Sequence, residues 1–269
     1  MTIAVVQAYE APATPRWIEC CVASVRNWAG AKGFQHHFLR EGFFGLAPEW
    51  FRARCGAQIG PVTDVSRLYL MRRFFSMGYE AVVWVDADVL VFDPERLDVR
   101  SETGFVALKE ITVGVDQGGV VHVSPVTVNG ALIASRRDHP LFEFYLYAVE
   151  TAVRQFRGPE IPRTIAGPEL LTRISQAVPI ECLTTVGLFT PAILQDIASG
   201  SDRLPRIFAE QFGHRVAAAN LCHFFRDTVT PEQRSFYDEL MDRAMGRLIE
   251  TRGEIVNRFA PPDNSAARP

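Results

Sequence analysis

Residues 82–92 read VVWVDADVLVF. Two carboxylates, Asp86 and Asp88, interrupt what would otherwise be eleven residues of buried strand. Burying a bare carboxylate is costly, and two neighbours also repel each other. Side chains alternate across an extended chain, so Asp86 and Asp88 are expected on one side and Ala87 on the other. At the carboxyl end of a parallel strand the pair would face the crevice where open α/β sheets bind ligands. A divalent cation that prefers oxygen, Mn²⁺ or Mg²⁺, would neutralise the pair and bridge it to phosphate oxygens. The competing expectation is a solvated acidic turn. The apolar flanks on both sides favour a core strand.

Outward from this stretch, apolar runs of strand length alternate with longer helical patterns, which predicts an α/β fold. Thr2–Val6 is a β-branched first strand. Thr14 and Pro15 are expected to open a helix, with Thr14 as its cap; Gly30 and Gly33 end it, and 34–39 follows as a strand. A short helix is expected over 48–55. A stronger helix is expected to begin at Asp64, with Leu68, Leu70, Met71, Phe74 and Phe75 as its apolar stripe and Gly78 as its stop. Residues 104–108 and 126–135 read as strands, 141–156 and 168–177 as helices, and 231–259 as one long amphipathic helix. The expected organisation is a single domain over 1–260 with a twisted, mostly parallel central sheet. Residues 1–95 form its nucleotide-binding half, 96–229 its acceptor side and 230–260 its C-terminal helix. Residues 261–269 are expected to be a disordered tail.

Length and composition agree with this reading. The 269 residues are long enough for a full core, with 48 % hydrophobic and 22 % charged residues. A net charge of −3 gives no support for a nucleic-acid binder, which carries a strong basic excess. Five cysteines, an odd number with no CxxC pair, argue against a disulfide framework or a structural zinc site and predict buried, reduced thiols. The N-terminus lacks the basic region of a signal peptide, and no apolar stretch approaches the ~20 residues of a membrane span. The expected location is a reducing cytoplasm.

The stretch TDVSRLYLMRRFFSMGYEAVVWVDADVLVFDPERL, residues 63–97, resembles the central segment of GT-A glycosyltransferases. It is most similar to the retaining nucleotide-sugar transferases related to the lipopolysaccharide galactosyltransferases and glycogenin. The resemblance implies a Rossmann-like GT-A domain that moves a hexose from a nucleotide sugar, UDP-linked, to an acceptor with retention. It implies Mn²⁺ held by Asp86 and Asp88 on the donor diphosphate, with His223 of NLCHFF (220–225) as third ligand. It also implies that Asp64 and Arg67 touch the donor sugar and diphosphate, in place of a surface ion pair one turn apart. VNGALIAS (128–135) is similar to the strand lining donor sugar and acceptor, which puts Asn129 at the site. AGPELLTRI (166–174) is similar to a GP-containing segment of capsular and mannosyl transferases and offers Glu169 beside the reacting carbon. Its alternative role is a first-turn carboxylate favoured by the helix dipole. Gln7, Ala8 and Tyr9 follow strand one, where the family shows a nucleotide-contacting loop, and depart from its usual polar sequence; Ala87 lies within the DxD itself.

Three other readings compete. A haloacid-dehalogenase-like phosphatase also carries hhhDxD, but needs a later lysine and then an acidic pair, and its DxD normally sits on the first strand. A nucleotidyltransferase carries a Gly-rich basic loop after strand one, and QAYEAPATPRW has no glycine. An inactive nucleotide-sugar-binding protein would share every residue named above. No Walker motif, GxSxG, HExxH or GxGxxG occurs.

Overall fold

A computed structural model describes residues 1–227 and 230–262. The 263–269 portion of the expected tail, and Thr228 and Val229 at the expected boundary before the last helix, lie outside the described residues.

Strand β1 is Ile3–Ala8, and every one of its side chains is buried. Period-two alternation divides them: Ala4, Val6 and Ala8 enter one core, Ile3 and Val5 another. Strand β3, Ala81–Val85, divides in the same way, with Val82 and Trp84 on the first side and Ala81, Val83 and Val85 on the second. A sheet covered on both faces explains why these strands read as continuous apolar runs. Helix α1 (Arg16–Ala31) and strand β2 (Gln35–Leu39) lie between them in sequence. Helices α2 (Glu49–Cys55) and α3 (Ile59–Ser76) lead into β3.

After β3 come strands β4 (Val89–Val91), β5 (Phe105–Glu110), the hairpin β6–β7 (Val113–Val115, Val121–Val123) and β8 (Thr127–Arg136). Helices α4 (Pro140–Gln155) and α5 (Pro168–Ala177) are followed by short strands β9 (Glu181–Leu183) and β10 (Val186–Leu188). Helices α6 (Pro191–Ser199) and α7 (Arg203–Phe212), strand β11 (Ala218–Asn220), and helices α8 (Phe224–Asp227), α9 (Pro231–Glu250) and α10 (Glu254–Asn257) complete the chain.

The main sheet has the order β2-β1-β3-β8-β5-β9. Strand β1 is parallel to β2 and β3, and β5 to β9; β8 is antiparallel to both of its neighbours. Helices α3 and α4 contribute Leu68, Met71, Phe74, Tyr145 and Val149 to one face. Burying one such side chain stabilises the fold by roughly 1.5–3 kcal/mol. Helix α1 and the small sheet β10-β11-β4 cover the other face with Val25, Trp28, Val89 and Ala218. Behind that layer, Trp17 and Ile18 of α1 pack with Phe208 of α7 and Met241 of α9.

Several local expectations are corrected. Pro15, not Thr14, occupies the cap position of α1, and no side chain caps that end. Helix α3 starts at Ile59, five residues before Asp64, because Pro61 is tolerated in a first turn. The final helix stops at Glu250: Arg252 (φ 49°) and Gly253 (φ 77°) turn left-handed, and α10 is a separate short piece. A side chain at Gly253 would place its Cβ against the Phe92 ring, so the break is built into the packing. The cysteines are free thiols as expected, but only Cys21 and Cys55 are buried, and Cys20 is exposed. Among the described residues no helix is long and apolar enough to cross a membrane.

Candidate donor and metal site

The DxD segment is a turn between two sheets. Strand β3 ends at Val85, and residues 86–88 turn before β4 leaves to pair with β11. The Asp86 amide still donates to Ala131 O of β8 (2.7 Å), and the Val89 amide donates back to Asp86 O (3.2 Å). Alternation along an extended strand therefore does not hold through 86–88. The apolar flanks that suggested one core strand belong to two strands. The turn is not solvated, however: Ala87 is buried and the Asp86 side chain keeps 23 % of its exposure.

Helix α3 runs beside this turn, and its position places Asp64 and Arg67 against it. The Arg67 guanidinium lies 3.1 Å from Asp64 and 3.5 Å from Asp86, with both α3 side chains buried. It donates to Gly130 O (2.6 Å) and sits 5.5 Å from the centre of the Trp84 ring, whose indole N–H donates to Asp86 Oδ1 (2.6 Å). The approach is close: a Cβ on Gly130 would fall 2.8 Å from Arg67 Nη1, and one on Gly167 2.6 Å from Asp64 Oδ2. The expected alternative of a surface i,i+3 pair is thus excluded.

The charge is unbalanced. Burial pushes the Asp64 carboxyl up to about 6, with Arg67 opposing and Asp86 adding to the shift. Burial raises Asp86 and Asp88 too, again against Arg67. Arg67 itself is held more firmly protonated, because Asp86 and Asp64 outweigh its own burial. Its Nε and the neighbouring Ser66 hydroxyl are buried without a hydrogen-bond partner among the described residues. Three carboxylates round one buried guanidinium make a site that favours added positive charge.

The 220–225 segment is drawn onto this cluster. Asn220 Oδ1 accepts from the Cys222 amide (2.8 Å), Cys222 is left-handed (φ 53°), and the His223 amide donates to Asp88 Oδ2 (2.7 Å). The His223 ring faces Tyr9, with Nε2 2.9 Å from the tyrosine hydroxyl, and packs 5.7 Å from the Trp17 ring. Gln7 Nε2 donates to Asp86 O (3.2 Å), while Ala8 is the buried end of β1. The structure thus brings Gln7, Tyr9, Asp64, Arg67, Asp86, Asp88 and His223 together.

Asn129 belongs to the same neighbourhood. Its Oδ1 accepts from the Ala131 amide (2.7 Å) and its Nδ2 donates to Glu110 Oε2 (2.6 Å). Glu110, at the end of β5, is a buried acid that the sequence reading missed. Burial pushes its carboxyl up to about 7, with the Asn129 hydrogen bond opposing and Asp86 adding to the rise. Its signal was available, since an acid closing the apolar strand FVALKE repeats the logic of Asp86. Arg163 was also missed: its charge bears on Asp64 and Cys222, and its guanidinium lies over the Phe224 ring at 3.1 Å. An exposed loop arginine has no sequence signature of this kind. Glu169 is placed differently from the rest. It is exposed on the first turn of α5, 2.7 Å from Arg173, and accepts from the Thr164 hydroxyl (3.2 Å).

The donor set fits a hard divalent cation. Asp86 and Asp88 offer oxygens beside a deficit of positive charge. Among the described residues no three His, Cys, Asp or Glu side chains converge as a finished metal cage. The site is an open two-carboxylate seat, and a His223 ligand bonding through Nε2 would have to give up its Tyr9 contact. The phosphatase reading fails on its lysine: Lys109 Nζ lies 5.5 Å over the Phe212 ring and 3.4 Å from His214, and Lys32 binds Glu95 O.

No family model matches the chain, and no curated protein matches it. Solved structures do. A glycosyltransferase involved in glycosylation of the major capsid of PBCV-1 is 10% identical, with 90% of this chain and 99% of that one covered at a TM-score of 0.51. Mouse xyloside xylosyltransferase 1 is 11% identical over 86% and 100% of the two chains (TM-score 0.45). Galactosyltransferase LgtC, solved with donor and acceptor sugar analogues, is 13% identical over 90% and 95% (TM-score 0.39). The likeness to the first of these shows a shared fold, the GT-A, Rossmann-like domain.

Proposed function

We propose that the chain, on its GT-A fold, is a metal-dependent glycosyltransferase that takes a hexose from a UDP-sugar. The observation that carries this reading is the cluster of buried Asp64 and half-buried Asp86 and Asp88 round the buried Arg67 at the carboxyl end of β3. Such a cluster is short of positive charge, and a cation together with a diphosphate satisfies it. Asp86 and Asp88 would hold Mn²⁺ or Mg²⁺, with His223 as third ligand. The bound cation supplies Lewis-acid stabilisation of the leaving diphosphate. Residues 1–95 serve the donor and 96–229 the acceptor.

This chain's own groups position the donor. Arg67, fixed between Asp64 and Gly130 O, presents a permanent charge toward the diphosphate. Gln7 and Tyr9 line the nucleotide end, and Asn129, held by Glu110, faces the sugar. The anomeric configuration is retained, so no strong general base is needed. Glu169, the first candidate for the residue beside the reacting carbon, is paired to Arg173 and would have to release it to act.

Calorimetry of Asp88→Ala with UDP and Mn²⁺ tests the ligand assignment. Affinity should fall by about tenfold or more, as expected when a charged ligand is lost, and unchanged affinity refutes the assignment. Donor hydrolysis separates an enzyme from an inactive binder. NMR of the first-formed product anomer tests retention, and an inverted linkage overturns it.

A further inference from the structure

A second concave site lies one strand outward from the donor site. Residues 16, 19, 20, 23 and 26 of α1 recur at helical spacing and form one stripe, while His36, Phe38 and Arg40 share one face of β2 and its end. Strand β2 is the edge of the main sheet, and its side chains from 36 to 39 are only half-buried. The α1 stripe and the uncovered β2 face enclose a cleft of about 500 Å³. That volume suits a sugar-sized ligand.

The lining is basic. Arg16, Arg26 and Arg40 all border the cleft, against Glu19 as its one acid. None of the three arginines forms an ion pair among the described residues. On a chain whose net charge is −3, this local excess runs against the average. The Arg40 guanidinium lies 5.0 Å from the centre of the Phe38 ring, which preorganises its planar donors at the cleft wall. His36 adds a polar edge, with Nε2 fixed 2.9 Å from Gln7 Oε1. Burial and the Arg26 charge push that imidazole down to about 4, so the arginines alone carry the positive charge of the cleft at neutral pH.

We infer that this cleft binds an oxyanion-bearing ligand of sugar size, its phosphate or carboxylate held by Arg16, Arg26 and Arg40. Guanidinium forks match such groups in a bidentate way. The inference does not depend on the transferase reading, because none of these arginines belongs to the Asp86–Asp88 site.

Titration calorimetry in EDTA, with glucose 6-phosphate, glucose and inorganic phosphate as probes, tests it. EDTA removes any cation-bridged binding at Asp86 and Asp88. Glucose 6-phosphate should bind at least about tenfold tighter than glucose, and Arg26→Ala and Arg40→Ala should each weaken it by about tenfold. Both changes are at exposed positions, and circular dichroism should show the variants folded. Inorganic phosphate binding much more weakly than glucose 6-phosphate would support a ligand of sugar size, whereas phosphate binding as tightly would overturn it and leave a bare anion as the ligand. Equal affinity for glucose, no binding at millimolar concentrations, or binding that both variants leave intact would overturn it.

Discussion

Arg67 carries the heaviest electrostatic demand of any side chain in the site. It is buried, shared between Asp64 and Asp86, and still leaves its Nε without a partner among the described residues. Removing one member of a buried ion pair leaves an uncompensated charge, so Arg67→Ala should cost about 3–5 kcal/mol in urea unfolding. A loss below about 1 kcal/mol would mean the pair is solvated. Glu110 gives a second residue-level test. Its folded carboxyl is raised from 4.5 to about 7, so the folded state holds a proton that the unfolded state has already released in that window. Stability should therefore fall as pH rises from about 4.5 to about 7, by roughly 3 kcal/mol from this group, and level off above. Glu110→Gln should flatten that part of the profile while keeping an acceptor for Asn129. A variant whose stability falls just as steeply would remove Glu110 as the cause. At this scale the sequence was informative where an acid broke an apolar run, as at Asp86 and Asp88. It was silent on Arg163, because a loop arginine reaches Asp64 only through the tertiary fold.

Elements bring these residues into register, and two glycines show how closely. Gly167, at the start of α5, leaves no room for a Cβ beside Asp64. Gly167→Ala should therefore shift the Asp64–Arg67 pair and destabilise by about 1–3 kcal/mol. Gly246 in α9 has nothing within 4 Å of an added Cβ. Gly246→Ala should stabilise by about 0.5–1 kcal/mol through helix propensity alone. Paired melting curves check both, and the same sign for the two substitutions would contradict the packing described. Element-level legibility followed periodicity. Helix α5 was expected with the bounds observed, since Pro168 starts it and its apolar spacing continues to Ala177. The long helices missed their ends where tertiary geometry decided, at Ile59 and at Gly253. The three-residue strands β6, β7, β9, β10 and β11 are too short to carry a period. The change of sheet at Asp88 followed from the pairing of β4 with β11, which no local pattern encodes.

On the scale of the molecule, the two cores meet at the sheet, and its carboxyl edge gathers the site from β1, α3, β3, β8 and the 220–225 segment. A donor that binds there should stabilise the whole domain by mass action. The most direct measurement is a thermal-shift panel of nucleotide sugars with and without Mn²⁺. The account predicts that a UDP-hexose raises the melting temperature only when the metal is present, and that Asp88→Ala abolishes the rise. If no nucleotide sugar shifts the melt under any metal condition, the glycosyltransferase assignment is contradicted.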